Sequence, residues 1–463
     1  MSLETDSPPV PWSESDRLVP RTIVRPLRRF ATAEAASGIA MLAMAVVALI
    51  WANSAASDSY VRFWSSVVSI EVGSLVSLEL TLREWVNDLF MGIFFFVVAL
   101  EIKRELVRGE LADRRSATLP AVAAIGGMGV PALIFTFFNA GGEGSSGWGI
   151  PMATDIAFAI GVLSLLGRRI PASLVVFLLS LAIVDDLGAI LVIAVFYTAS
   201  VSAGWLAVAA GALVVALVLR HQDVRSLVPY VVLAAVCWFA LHESGVHATL
   251  AGVAFGLLTP SRSFYDRSFF RLRVHSIVER VEQADVGVNN QIPSEDQEAE
   301  EADALESLID LAVESQPPLD RLEHRLIPWT GFLIVPLFAL ANAGVQLSAS
   351  DLVDAFSEPV TLGVLAGLVV GKSFGVFLFA WAAVRLGIGK MPVGASWRQV
   401  GGVAMLAGIG FTVALFVTEL AFHAGPLADQ AKVGILAASV VAGVLGYVVL
   451  RLVSRAPQLT PRR

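Results

Sequence analysis

Apolar windows about 20 residues long, the length at which a helix crosses a bilayer, recur twelve times in this chain of 463 residues. They begin near Ala35, Val86, Leu119, Gly149, Ala172, Trp205, Val228, Gly245, Trp329, Val360, Val400 and Val433. The windows are continuous, carry internal Gly and Pro, and lack the alternation of barrel strands, so they predict helices. A hydrophobic share of 56%, a charged share of 16% and a mean hydropathy of +0.73 exclude a soluble multidomain protein. The expected fold is an all-α polytopic membrane protein with about 12 transmembrane helices.

Charge sorts the connecting segments. With the N-terminus inside, all but four of the 32 Lys and Arg residues fall in cytoplasmic segments; Arg62, Arg83 and Lys432 lie outside and Lys372 lies within a span. Both termini are therefore expected in the cytoplasm, and the basic part of the first tail, from Arg21 to Arg29, is too far from Met1 for a cleavable signal. The expected organisation is a disordered tail over 1–30, helices 1–8 over 31–258 and a cytoplasmic loop over 259–324. Helices 9–12 then occupy 325–453, and a short tail follows over 454–463. The loop holds an acidic insertion at about 261–320, where much of the chain's net charge of −8 is concentrated. Residues 57–82 alternate apolar and polar side chains around Gly73, the pattern of a small extracellular β-hairpin. Its exposed edge would either pair two subunits or simply cap the outer face. Cys237 is the only cysteine, so no intrachain disulfide can form.

Within the span that starts at Ala172, Asp185 and Asp186 stand side by side. A charge at mid-bilayer costs about 2.5–3.5 kcal/mol on insertion scales, so a pair there implies a use, by default a site for a cation or a proton. Successive helical residues point about 100° apart, so one carboxylate can meet the intramembrane Lys372 while the other faces a cavity. Asp155 and Asp88 are further buried acids. Two three-span units, 119–198 and 360–453, each have an interrupted middle span: Pro151 and Thr154-Asp155 break one, Gly408 and Gly410 the other. Such units insert as inverted repeats that cross two broken helices at the membrane midplane. Asp155 suits the positive half-helix N-termini and Lys372 the negative C-termini. Two carboxylates, the Thr154 hydroxyl and freed carbonyls form a hard-oxygen site suited to Na+ or Li+, for which protons compete.

At these residues the chain resembles the NhaA family of Na+/H+ antiporters. The similarity runs through Asn87–Glu105, Ala153-Thr-Asp-Ile-Ala-Phe, the Asp-Asp helix, Ser244–Gly252, Gly371-Lys and Gly408-Ile-Gly-Phe-Thr412, in that order. It implies a homodimeric antiporter of the cytoplasmic membrane that exports Na+ or Li+, imports more than one H+ per ion, and has no cofactor, structural metal or nucleic-acid partner. Asp186 would be the principal ligand, with Asp185 and Thr154 beside it; Lys372 would form an alternating salt bridge or carry a proton, and Asp155 would balance the helix ends. Glu101, Glu105, His247, Glu323 and His324 would be the pH-sensing candidates, and dimerisation would use the outer hairpin. Many relatives have a histidine where Ile327 stands and lack the acidic insertion, so the regulation of this chain is expected to differ.

Three other functions fit less well. An intramembrane aspartyl protease needs two converging carboxylates from different helices, and adjacent residues diverge. A Na+-coupled solute symporter of the same fold needs a polar pocket, yet few Asn, Gln or Arg residues lie inside the spans beyond Asn342. A passive cation channel would be opposed by Lys372.

Overall fold

The computed structural model describes residues 34–72, 76–198, 201–285, 295–346, 355–423 and 425–454. The expected tails before residue 31 and after residue 454 lie outside them. Helix α1 (Glu34–Ala52) is followed, after a bend of 117°, by α2 (Ser57–Trp64). Strands β1 (Val67–Val72) and β2 (Val76–Thr81) pair antiparallel, with Ile70 opposite Leu78 and Val68 opposite Leu80. Leu78 and Leu80 are buried while their cross-strand partners Ile70 and Val68, on the same face of the ribbon, stay exposed, so β2 packs inward and β1 is the outer strand.

Thr81 and Glu84 form a capping box that starts α3 (Leu82–Arg108) directly from the hairpin. Asp113 caps α4 (Arg114–Asn139), and the hydrogen bonds it accepts from Ser116 hold its carboxyl below the usual range. A 3₁₀ segment, Glu143–Met152, and α5 (Ile156–Ser164) form the first broken span, bent by 44°. Then come α6 (Ala172–Phe196), α7 (Ala203–His221), α8 (Val228–Ser244), ended by Gly245 in the left-handed region, and α9 (Leu250–Leu258). At nine residues α9 is about 14 Å long, so the window expected near Gly245 yields a short helix rather than a full span.

The expected loop over 259–324 contains two helices, α10 (Arg267–Asp285) and α11 (Glu295–Glu314). Phe270, Val274 and Ile277 recur on one, and Ala304, Leu308 and Leu311 on the other, at helical spacing; these six pack into a small core of their own. Interspersed charge, arginines in α10 and acids in α11, masked that periodicity. Helix α12 (Pro318–Asn342) and α13 (Pro359–Arg385) follow, then α14 (Trp397–Leu406) and α15 (Phe411–Phe422), bent by 45°, and α16 (Pro426–Val453). Among the described residues, seven helices are long and apolar enough to cross a membrane, or up to ten when each bent pair counts as one span. The chain is a multi-pass, mostly helical membrane protein.

The main core runs from α1 and α3 through the first break to α13, α15 and α16. Helices α4 and α13 touch closely because Gly126 and Gly375 face each other's backbone: a Cβ on either would lie 2.5 and 2.2 Å from the other's carbonyl oxygen.

Candidate functional site

The two broken spans meet at their breaks. Between Met152 and Ile156 the chain is extended, and the Asp155 amide donates to the Ile409 carbonyl in the other break at 2.6 Å. The carboxylate of Asp155 then caps both half-helices. Its Oδ1 accepts from the Phe158 amide at 2.9 Å, in the first turn of α5, and its Oδ2 accepts from the amide and hydroxyl of Thr412, in the first turn of α15, at 3.1 and 2.7 Å. A single buried charge thus sits where two helix N-termini point at each other. The glycines of the second break serve close approach: a Cβ on Gly408 would lie 2.5 Å from the Leu368 carbonyl oxygen, and one on Gly410 would lie 2.9 Å from the Leu368 side chain. Neither takes a positive φ.

Lys372 occupies a π-helical turn, Gly367–Lys372, in α13. Its ammonium donates to the carbonyl of Met152, at the end of the 3₁₀ segment, and lies 2.7 Å from Oδ2 of Asp185. Thr154 brings its hydroxyl to 2.9 Å from both Asp185 Oδ2 and the Ala407 carbonyl, with one proton to give. Thr154, Asp155, Asp185, Asp186 and Lys372 are all buried. Oδ1 of Asp185 and Oδ1 of Asp186 have no hydrogen-bond partner among the described residues. Buried carboxylate oxygens without donors are costly, a cost that a positive ligand or a proton would relieve. Gly127 on α4 borders the site: a Cβ there would lie 2.7 Å from the Val376 side chain, 3.7 Å from Lys372 and 3.8 Å from Oδ1 of Asp185. The sequence reading missed Gly127, because only the packing of α4 on α13 distinguishes it from the chain's other glycines.

The regulatory candidates separate into two groups. Glu101 lies within electrostatic reach of both Asp186 and Glu323, and Arg104 pairs with Glu323 and approaches Glu105 at 3.7 Å. Arg108 adds a bidentate pair with Asp320 at 2.5 and 2.9 Å. A track of charge therefore leads from the aspartate centre to the ends of α3 and α12 farthest from the hairpin. His247 is not part of it; its Nε2 lies 2.7 Å from the Tyr197 carbonyl at the hairpin end of α6. His324 sits one residue beyond Glu323. Asp88, expected among the buried acids, is a correction: it keeps 27% of its side chain exposed and lies 3.4 Å from Nδ1 of His242. Its place near the hairpin end of α3, rather than mid-span, is the reason. A cavity of about 690 Å³, lined by Glu110, Asp113 and Lys390, reaches Ser180 on α6, five residues before Asp185.

Residues 28–450 match the family Na+/H+ antiporter 1. The chain is 48% identical to the Na+/H+ antiporter NhaA of Oleidesulfovibrio alaskensis, over 94% of this chain and 95% of that one. It is also 48% identical to NhaA of an Anaeromyxobacter species, over 95% and 94%, and 45% identical to that of Syntrophobacter fumaroxidans, over 92% and 89%. The chain belongs to the NhaA family of Na+/H+ antiporters.

Proposed function

We propose that this chain exports Na+ or Li+ in exchange for more than one H+, as a secondary transporter rather than an enzyme, and that Asp185 and Asp186 bind the cation and the protons in turn. The observation that carries the reading is the two buried, unpartnered Oδ1 atoms of Asp185 and Asp186, with the Thr154 hydroxyl and the Lys372 ammonium engaged on the other oxygen of Asp185. Hard oxygens suit a bare alkali cation. A cation at Asp186 competes with protons for the same oxygens and with Lys372 for Asp185, so occupancy by one expels the other. Lys372 then either re-forms its salt bridge or gives up a proton. Asp155 compensates the crossed helix ends throughout, since both of its oxygens are already engaged.

Alternating access arises in this reading from two inverted repeats, α4 to α6 and α13 to α16, rocking about the crossed breaks. Twelve membrane-inserted segments complete the fold, with the short α9 as part of the eighth. The hairpin faces outward and both termini face the cytoplasm, in keeping with the distribution of Lys and Arg. The track through Glu101, Glu105 and Glu323 senses pH at the cytoplasmic mouth with His324, while His247 acts from the outer side. The 690 Å³ cavity offers entry from the cytoplasm. Two copies pair through the exposed face of β1. Neither a resident cofactor nor a structural metal is needed.

The test is a pH-gradient dequenching assay in everted vesicles with Na+, Li+ or K+, on the wild type and Asp186→Asn. Proton release on Na+ or Li+ that vanishes in the variant is the expected result. Silence of correctly inserted wild-type protein, from mildly acid to alkaline pH, would sink the antiport reading.

A further inference from the structure

A second buried ion pair lies away from the aspartate centre. Glu419 on α15 and Lys432 on α16 bring Oε1 and Nζ to 2.6 Å, with side chains only 10% and 5% exposed. They lie near the facing ends of these two helices on the hairpin side, where His423 and Gly425 both take positive φ. Tyr60, Arg83 and Asp429 lie within electrostatic reach. Two acids and two bases leave the cluster neutral, so it has no excess charge to hold a bare cation.

Its hydrogen bonding is incomplete. Oε1 of Glu419 is buried and, although close to Lys432, accepts no aligned hydrogen bond; Nε of Arg83 is also buried and donates to nothing. A permanent buried pair offsets its desolvation only when the geometry is good and the remaining protons and lone pairs are satisfied. Two unsatisfied atoms of opposite charge in one cluster describe a bond that this conformation leaves unmade. The helix that carries Glu419 is the one whose first turn donates to Asp155 through Thr412, seven residues or about 10 Å away. Between those two positions every residue from Phe411 to Thr418 is buried, so α15 is packed along its whole length from the crossing to the pair.

We propose that the Glu419–Lys432 pair is the closed form of a gate on the hairpin face, and that Glu419 exchanges Lys432 for Arg83 when the gate opens. Glu419 is then a positioning residue that sets where α15, and with it Thr412, stands in each half of the cycle. The proposal rests on the exchange reading above. Its test places Glu419→Cys and Lys432→Cys in a Cys237→Ser background and bridges them with a reducible bis-methanethiosulfonate in vesicles of both orientations. Bridging is expected to slow exchange by about tenfold or more, with recovery on reduction. Bridged protein that exchanges at the unbridged rate overturns the gate. Separately, Glu419→Gln is expected to raise the apparent KM for Na+ about fivefold from the hairpin face and less than about twofold from the other. Equal changes on both faces, or none, also overturn it. Absence of wild-type exchange in the same vesicles counts against the antiport reading instead.

Discussion

Asp155 offers the sharpest test of how the crossed helices are held. Its carboxylate accepts three hydrogen bonds, two from helix-terminal amides and one from the Thr412 hydroxyl, and it is 2% exposed. In Asp155→Ala all three donors lose their acceptor in a place water does not reach. Each buried donor left unpaired costs about 1–3 kcal/mol, and each facing helix terminus loses a further 0.3–1 kcal/mol or so of dipole compensation. Partial relaxation and non-additivity reduce the sum, so a loss of about 3–6 kcal/mol is expected. Asp155→Asn keeps one acceptor oxygen and should lose roughly half as much. Both variants, and Thr412→Val alone and in combination, can be measured by SDS-titrated unfolding in mixed micelles, where a cycle coupling above about 1 kcal/mol is expected for Asp155 with Thr412. Since neither oxygen of Asp155 is free, the apparent KM for Na+ in folded Asp155→Asn should move less than about threefold. Loss below about 1 kcal/mol in the alanine variant, or a large KM shift in the asparagine variant, would refute the reasoning and make Asp155 a ligand instead.

Three further outcomes follow from contacts away from that carboxylate. Thr154→Val removes the hydroxyl 2.9 Å from Asp185 without changing side-chain volume much, and should raise the KM for Na+ by about 3–10-fold, one modest hydrogen bond, in a vesicle assay. Gly408→Ala drives a methyl to 2.5 Å from the Leu368 carbonyl oxygen, a backbone atom that cannot swing away, and overpacking of about 1–3 kcal/mol should appear as a lower unfolding midpoint. Arg225 grips both ends of the α10–α11 hairpin, at 2.5 Å from Glu314 and stacked over Phe264 and Tyr265. Arg225→Ala should therefore speed limited proteolysis within residues 261–320 by about tenfold while the rest of the chain stays protected.

The sequence carried the centre well because buried charge in an apolar run has few structural uses. Asp185, Asp186, Asp155 and Lys372 stand out by composition alone, and the interrupted spans around Thr154 and Gly408 put the breaks at the right residues. Tertiary proximity was not readable in the same way. Nothing in the local pattern tells that Thr412 donates to Asp155, that Gly127 borders the site, or that Lys432, assigned outside by its position near a span end, is buried against Glu419. Asp88 failed in the opposite direction, since an acid in an apolar stretch reads as buried until the hairpin shows how near the span's end it lies. The α10–α11 pair was hidden because its apolar residues are interspersed with charge, arginines in α10 and acids in α11.

Charge bookkeeping at the crossing explains why the proposed exchange should move net charge. Asp155 contributes −1, and the two half-helix N-termini it caps supply about +0.5 each, so that end is close to neutral. At the other end, the +1 of Lys372 is shared between Asp185, at −1, and the C-terminal end at Met152, so the carboxylate of Asp186 and the two helix C-terminal ends at Met152 and Leu406 are not fully offset. That remainder, between −1 and −2, is satisfied by one cation, by one proton with the lysine engaged, or by two protons if the lysine turns away from Asp185 and keeps its charge at the Met152 carbonyl. A site needing more than one positive charge accepts a single Na+ in place of more than one proton only because Lys372 can shift between Asp185 and a carbonyl that it already contacts. Lys372→Met removes that adjustable charge, so it should reduce the protons exchanged per Na+ toward one, seen as transport that no longer responds to membrane potential. Unchanged potential dependence in a folded, active Lys372→Met would show that the charge of the lysine does not set how many protons exchange per Na+.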